Sequence, residues 1–443
     1  MIRILAAALL AATPALAGGP STPLPAVLTD ADFHPVDLAE ARLGQLLFYD
    51  PILSGNREVS CATCHHPRFA TTDGLPLGLG DGGIGLGPER RADPDNLPEQ
   101  RIPRNAPALF NLGAREVTVL FHDGRIEVDP SRPSGLRTPL GEEMVAGFAN
   151  LLSAQTMFPV LSADEMGGHY QENEIALAVR MGRITGAGGA WDLISARVAG
   201  LDAYASDFAA IYPHIAAGAP IAFTDISNAI AAFMAHEWRS DSSPFDAALR
   251  GKASLTAQAE AGQALFYGRA GCADCHSGAL LTDHRFHAMG QPQLGPGKAE
   301  RFERHQNDIG RMRVTGRRED AYAFRTPSLR NVTETGPWGH AGAFASLDAF
   351  LAHHVDPAAG LASYVPAVAL PELAGAKPDW AVMEDRETLN AIAAAIEPRP
   401  RVTLSVADRA ALLAFLGALR DPVALGGRLG IPERVPSGLP VDR

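Results

Sequence analysis

Four cysteines occur in the 443-residue chain, and all of them lie in two copies of one pattern, Cys61-Ala62-Thr63-Cys64-His65 and Cys272-Ala273-Asp274-Cys275-His276. Two thiols separated by two residues reach one edge of a porphyrin, where each adds across a vinyl group to form a thioether. The His that follows falls beneath the iron as its proximal ligand. A zinc site would draw four ligands into one tetrahedron, and a redox dithiol requires no adjacent His. The pattern therefore predicts two covalently bound haem c groups, one carried by His65 and one by His276.

The elements that must position these motifs also repeat. Residues 41–50 match residues 259–268, so that Gly44, Gln45, Leu47, Phe48 and Tyr49 recur as Gly262, Gln263, Leu265, Phe266 and Tyr267. The apolar spacing predicts a helix whose Leu/Phe face packs on a flat apolar surface such as a haem edge. Helical periodicity returns over 225–238, where Ile226, Ile230, Phe233 and Met234 share a face. It returns again over 406–419, with Leu412, Phe415, Leu416 and Leu419 behind a Ser405 N-cap. Strand signals are sparse. The expected class is mainly α, with two cytochrome c-like domains that each hold one covalent haem.

Ser240-Asp-Ser-Ser-Pro244 reads as a linker and divides the chain into 18–239, the N-terminal haem domain, and 240–443, the C-terminal one. Residues 74–101, crowded with Gly, Pro, Asp and Arg, read as a long surface loop, and 126–142 as a second. The glycines of the first loop do not make a phosphate site, because no G-x-x-x-x-G-K-[ST] occurs there. The Pro- and Gly-rich last twenty or so residues read as a tail.

Residues 1–17 have the form of a secretory signal peptide: Met1-Ile2-Arg3, an apolar run Ile4 to Ala12, and Ala15-Leu16-Ala17 at the cleavage site. The run is too short to span a bilayer, and no second apolar stretch of spanning length follows. Export to the periplasm agrees with covalent haem, which is attached outside the cytoplasm. A formal net charge of −12 argues against nucleic acid or an anionic membrane as partner. It is compatible with docking a basic redox protein.

With both haem motifs, the repeat, and the segments Pro103-Arg-Asn-Ala-Pro-Ala-Leu-Phe-Asn111, His122-Asp-Gly-Arg125, Thr326-Pro-Ser-Leu-Arg-Asn331 and Thr335-Gly-Pro-Trp-Gly-His-Ala-Gly342, the chain resembles the bacterial di-haem cytochrome c peroxidase and MauG superfamily. The resemblance covers nearly all of the mature chain. It implies a peroxide site at the N-terminal haem, an electron-relaying haem in the C-terminal domain, and a calcium ion at the interface between the two domains. Family members place a Gln, a Pro four residues on and a Glu-Met six further over the N-terminal haem, a spacing that Gln155, Pro159 and Glu165-Met166 reproduce. A peroxidase needs a group that takes a proton from one peroxide oxygen and delivers it to the other. The resemblance assigns that role to Glu165, with Gln155 assisting by hydrogen bond. It assigns the calcium to Asn105 and the carbonyls of Thr335 and Pro337, an all-oxygen set suited to a hard cation.

Three positions depart from the family pattern. Some members carry a distal His before Pro-Arg-Asn that blocks the N-terminal haem, but residues 66–104 hold one His, His66, directly beside the motif. An N-terminal haem that is five-coordinate or water-bound is expected. The family's inter-haem Trp aligns with His122, which leaves Phe121 and Trp338 as alternative aromatics. Where members use Met or Tyr as far ligand of the C-terminal haem, seventeen residues beyond Pro337, this chain has His354, with His353 as the rival. A helix from Ser346 would present either.

These features together predict a periplasmic di-haem oxidoreductase that activates and reduces hydrogen peroxide. Its electrons would come from a small periplasmic cytochrome c or cupredoxin. Two alternatives stand beside it: a MauG-like enzyme that spends the oxidising equivalents on residues of a partner protein, and a non-enzymatic electron-transfer cytochrome.

Overall fold

The two repeated stretches fold as the helices Leu38–Tyr49 and Ala257–Phe266 in a computed structural model that describes residues 22–298 and 306–443. The leader expected over 1–17 lies outside the described residues. Asp37 caps the first helix by accepting hydrogen bonds from the amides of Ala39 and Glu40, and Thr256 caps the second through Ala259.

Each of these helices packs along a partner later in its own half: Leu38–Tyr49 along Phe223–Glu237, and Ala257–Phe266 along Val406–Gly417. The contact is made through glycine. A Cβ on Gly44 would lie 1.8 Å from the Ala229 carbonyl oxygen, and one on Gly262 would lie 1.9 Å from that of Ala411. Nothing larger than hydrogen lets either pair of backbones approach so closely. Aromatic rings then interlock alike in both halves. Phe48 and Phe233 have centroids 5.2 Å apart, and Phe266 and Phe415 are 5.1 Å apart. Tyr49 meets Phe233 edge-on at 6.2 Å, as Tyr267 meets Phe415 at 6.1 Å.

The helix pairs anchor two hydrophobic cores, one around Leu47, Phe48, Phe233 and Trp238 and one around Phe266, Leu412, Phe415 and Leu419. Helices account for 40% of the described residues, so the class is mainly α as expected. The strands are short antiparallel pieces: Gly83–Ile84 with Arg91–Ala92, Val119–Leu120 with Ile126–Val128 and Leu136–Arg137, and Phe286–His287 with Phe324–Arg325.

The C-terminal residues return to the first core, where Ala424 and Val435 are buried. Gln45 Nε2 donates to the carbonyls of Leu429 and Gly430 at 3.1 and 2.7 Å, and Ser437 Oγ donates to Asp50 at 2.6 Å. What reads as a tail is a strap on the N-terminal half.

The loop 74–101 departs from the surface reading over its first third. Leu75, Leu77, Leu79 and Asp81 are buried. A buried loop must find partners for its carbonyls, and Arg90 supplies them. Its guanidinium donates to Leu79 O at 2.5 Å, Gly80 O at 2.6 Å and Gly85 O at 2.7 Å.

Ion pairs stitch the two halves together. Arg104 is buried and forks onto both carboxylate oxygens of Asp308, at 2.7 and 2.9 Å, while its third nitrogen reaches Asp123 at 2.8 Å. Arg101 holds Asp379 in the same bidentate way, at 2.7 and 3.0 Å.

Candidate functional site

Both cysteine motifs are single helical turns. Cys61–Cys64 follows Ser60 as N-cap, and the His65 amide closes the turn by donating to Cys61 O at 3.0 Å. The His276 amide donates to Cys272 O at 3.0 Å in the same manner. Each imidazole is then fixed by a carbonyl further on. His65 Nδ1 lies 3.0 Å from Thr71 O, and His276 Nδ1 lies 3.1 Å from Leu281 O. A carbonyl only accepts, so Nδ1 carries the proton and Nε2 keeps its lone pair for a metal. Burial pushes His276 down to about 4 and lowers His65 as well, so both rings are neutral.

The carbonyls of Pro107 and Pro327 lie near the His65 and His276 rings respectively and partly offset the effect of burial. These prolines belong to a further repeat that the motif comparison did not pair: Pro107-Ala-Leu-Phe-Asn111 and Pro327-Ser-Leu-Arg-Asn331. Both asparagines have left-handed backbones, with φ of 59° and 60°. Asn111 N donates to Trp238 O at 3.1 Å and Asn331 N to Leu419 O at 3.2 Å, just past the partner helix of each half. The shared P-x-L-x-N was the available signal.

In the second half Cys272, Cys275 and His276 open onto a cavity of about 590 Å³ whose walls include Phe266, Leu347, Leu412 and Leu416. His354 lines it too. It sits on the helix Leu347–Val355, which Ser346 caps through Ala349 N at 3.4 Å. Its Nδ1 lies 3.1 Å from Phe350 O, which again leaves Nε2 as the free ring nitrogen. Burial, reinforced by His353 and His276, pushes His354 down to about 3. His353 is turned elsewhere: its Nε2 lies 2.9 Å from Met289 O, and its ring packs on Phe344 at 5.2 Å. An apolar-walled space lined by two neutral imidazoles is of the kind that fits a haem.

His122 and Trp338 line the same cavity. Phe121 does not, and Arg125 covers its ring at 4.4 Å. Asn105, Thr335 and Pro337 also line it. The Asn105 amide nitrogen is spent on Leu75 O at 2.7 Å and Pro76 O at 3.3 Å, so Oδ1 remains as its donor to a cation. An amide oxygen is a hard donor of the kind that calcium takes.

In the first half Gln155 ends the helix Leu151–Gln155, Pro159 opens the turn Pro159–Leu161, and Glu165 sits in one turn of π-helix, Ala163–Gly167. Burial raises the Cys64 thiol, and the charge of Glu165 is within electrostatic reach and adds to that rise. Among the described residues no hydrogen bond joins Gln155 to Glu165. The π-turn is clamped from both sides. Asp81 N donates to Glu165 O at 3.0 Å and Gly55 N to Met166 O at 2.7 Å. A Cβ on Gly80 would lie 2.4 Å from Glu165 O. His66 faces its own turn, with Nδ1 accepting from Arg68 N at 3.2 Å.

Lys298, from the second half, adds a cation near Glu165 and Asp123; burial pushes it down to about 8. As a lone lysine in a loop it carries no signal in the sequence. A carboxylate held on a clamped turn is a group of the kind that transfers protons.

Residues 38–254 match the family model described as di-haem cytochrome c peroxidase. Over 328 residues the chain is 31% identical to the methylamine utilization protein MauG of Methylorubrum extorquens, covering 73% of this chain and 70% of that one. It is 28% identical over 321 residues to cytochrome c551 peroxidase of Pseudomonas aeruginosa, covering 72% of each. Among solved structures, a MauG-like protein associated with microbial copper homeostasis superposes with a TM-score of 0.57 at 26% identity, covering 92% of this chain and 95% of that one.

Proposed function

Because the chain belongs to the di-haem cytochrome c peroxidase family, whose members are haem oxidoreductases, we propose that it is a periplasmic enzyme that activates and reduces hydrogen peroxide. It would be exported by residues 1–17 and built of an N-terminal domain, 18–239, and a C-terminal domain, 240–443. Cys61, Cys64 and His65 would hold one haem c, and Cys272, Cys275, His276 and His354 the other. When bound, these haems supply the redox chemistry, drawing oxidising equivalents from peroxide and passing electrons between the two halves.

The observation that carries the reading is the difference between the two halves. Two imidazoles, His276 and His354, share the cavity with their Nε2 atoms free. The first half offers His65 on one side and a carboxylate, Glu165, near Cys64. A saturated electron-transfer site and an open catalytic site would differ in this way.

In the proposed mechanism the Glu165 carboxylate takes a proton from the oxygen of peroxide that binds. It returns that proton to the oxygen that leaves as water. Gln155 orients the peroxide by hydrogen bond, and Pro159 fixes the turn between Gln155 and Glu165. Gly80 and Asp81 hold the Glu165 backbone and limit its travel. Asn105 Oδ1 and the carbonyls of Thr335 and Pro337 would hold one calcium ion between the domains. Electrons would enter from a small periplasmic cytochrome c or cupredoxin.

A second reading is favoured by one observation. The space beyond His276 is met by His354 rather than by a thioether, and imidazole ligation suits a low-potential centre. Such an enzyme would spend its oxidising equivalents on residues of a partner protein, as in the MauG-like alternative. Steady-state peroxide consumption with a reduced periplasmic cytochrome c separates the two. Sustained turnover supports the peroxidase. Reaction with peroxide that oxidises the donor no faster than an enzyme-free control supports the second reading.

A further inference from the structure

We propose that Asp81, His169 and Glu172 form a binding site for a divalent cation of the zinc class, distinct from the haem attachment sites and from the calcium position at Asn105. One ligand atom from each of the three side chains lies within 4.8 Å of the others. Tetrahedral zinc with bonds of about 2.0 Å spaces its ligands roughly 3.3 Å apart, so side-chain rotation alone brings the three into range.

Two buried atoms in the cluster lack a partner. Asp81 is 0% exposed, and although Asn96 lies beside its side chain, its Oδ2 has no partner at hydrogen-bonding geometry; His169 is 8% exposed, and its Nε2 makes none. A desolvated carboxylate oxygen and a desolvated ring nitrogen each cost stability unless something binds them. The Glu172 side chain is 29% exposed and gives an ion a route from solvent.

The surroundings are arranged as an outer shell around an ion. Asn56 Nδ2 donates to Asp81 Oδ1 at 2.9 Å and to Glu172 Oε2 at 2.7 Å, and Asn56 Oδ1 accepts from Asn173 Nδ2 at 2.9 Å. The amide thus fixes the direction of both carboxylates. His169 Nδ1 lies 3.3 Å from Glu172 Oε1. The local field is negative: besides burial, the charges of Asp81, Asp93 and Glu172 all push Glu58 up, and Arg90 opposes them. Arg90 has its fork committed to the carbonyls of Leu79, Gly80 and Gly85.

The donor set selects the ion. Calcium and magnesium take oxygen ligands, and soft copper takes sulfur. One imidazole nitrogen with two carboxylate oxygens suits zinc, with water in the fourth position. The ion ties the loop bearing Asp81 to the segment just after the π-turn, and Asp81 N also holds Glu165 O. Its role is that of a clip beside the Glu165 turn. It does not depend on the peroxidase reading.

The test uses the mature, tag-free protein with both haems in place, stripped with chelator, restored with calcium and then titrated with zinc. Bound zinc is read by elemental analysis after gel filtration, with haem absorbance as the check on folding. One equivalent of zinc per chain is expected, together with a rise in melting temperature. His169→Gln and Glu172→Gln are each expected to weaken binding about 100-fold or more. Zinc binding absent from the wild type would mean that water satisfies Asp81 and His169, and would overturn the site. Equal zinc binding in the wild type and in Glu172→Gln, whose exposed side chain is the least damaging to change, would mean adventitious surface ions only and would also overturn it.

Discussion

His276 and His354 line one cavity, and each gives its Nδ1 to a main-chain carbonyl, Leu281 O and Phe350 O, both at 3.1 Å. That shared arrangement leaves both Nε2 lone pairs free, as the proposed ligation of one iron requires. The resting protein is therefore expected to show one low-spin haem with bis-histidine spectra. His354→Ala should convert it to high spin, and His354→Met should raise its reduction potential, because nitrogen donors favour ferric iron more than a thioether does. A resting spectrum with a Met–iron band, or a low-spin signal that survives His354→Ala, would reject the assignment.

Glu165 is the proposed proton carrier, and its replacement would leave both Cys-x-x-Cys-His motifs intact. Glu165→Gln is expected to slow the reaction with peroxide about 10²-fold or more, the usual scale of lost acid–base catalysis. Stopped-flow rates measured at equal haem content check this. Rates within a factor of two of wild type would leave Glu165 as a structural carboxylate.

Arg104 is shared by Asp308 and Asp123 in a buried contact between the two halves. Arg104→Met leaves Asp308 without its counter-charge and is expected to cost roughly 3–5 kcal/mol in denaturant unfolding at neutral pH. The Arg104 charge holds both carboxyls well below the usual aspartate range despite their burial. Groups with depressed folded values stabilise above their unfolded value, near pH 4, and lose that stabilisation as pH falls further. Wild-type stability should therefore drop on acidification below about pH 4, and the drop should be smaller in Arg104→Met. Equal acid sensitivity in both proteins would contradict the assignment.

Gly262 touches Ala411 O, and a methyl group there has nowhere to go. Gly262→Ala is expected to destabilise by about 1–3 kcal/mol or more through overpacking, and to lower haem incorporation in the second half. Gly417, on the partner helix with nothing within 4 Å of a built Cβ, is the control. Gly417→Ala should be neutral or stabilising by roughly 0.5–1 kcal/mol. Paired melting curves and haem counts by mass spectrometry read both.

Features that depend on neighbours along the chain are legible in the sequence. The Cys-x-x-Cys-His motifs carry their chemistry in spacing alone, because a single helical turn sets the distance between the two sulfurs. The Gly-Gln-x-Leu-Phe-Tyr repeat announces two related halves for the same reason, since its face is built from residues one turn apart. The Ser405 and Ser346 caps are readable locally, and both form.

The rest is decided by residues far apart in the chain. His353 and His354 are equivalent in composition and adjacent on one helix. Which of them faces the cavity depends on the rotation of that helix against Met289 and Phe344. Arg90 reads as a surface charge, yet it is spent on the carbonyls of a buried loop that no local pattern marks as buried. The C-terminal strap, the Arg104–Asp308 pair and the meeting of Asp81 with His169 span tens to hundreds of residues. Sequence alone determined that two related halves each carry a Cys-x-x-Cys-His motif, because that motif and the helix faces beside it are short-range. Only the tertiary structure decided which side chains share each cavity, because that choice is made by burial, which acts between segments the chain order keeps apart.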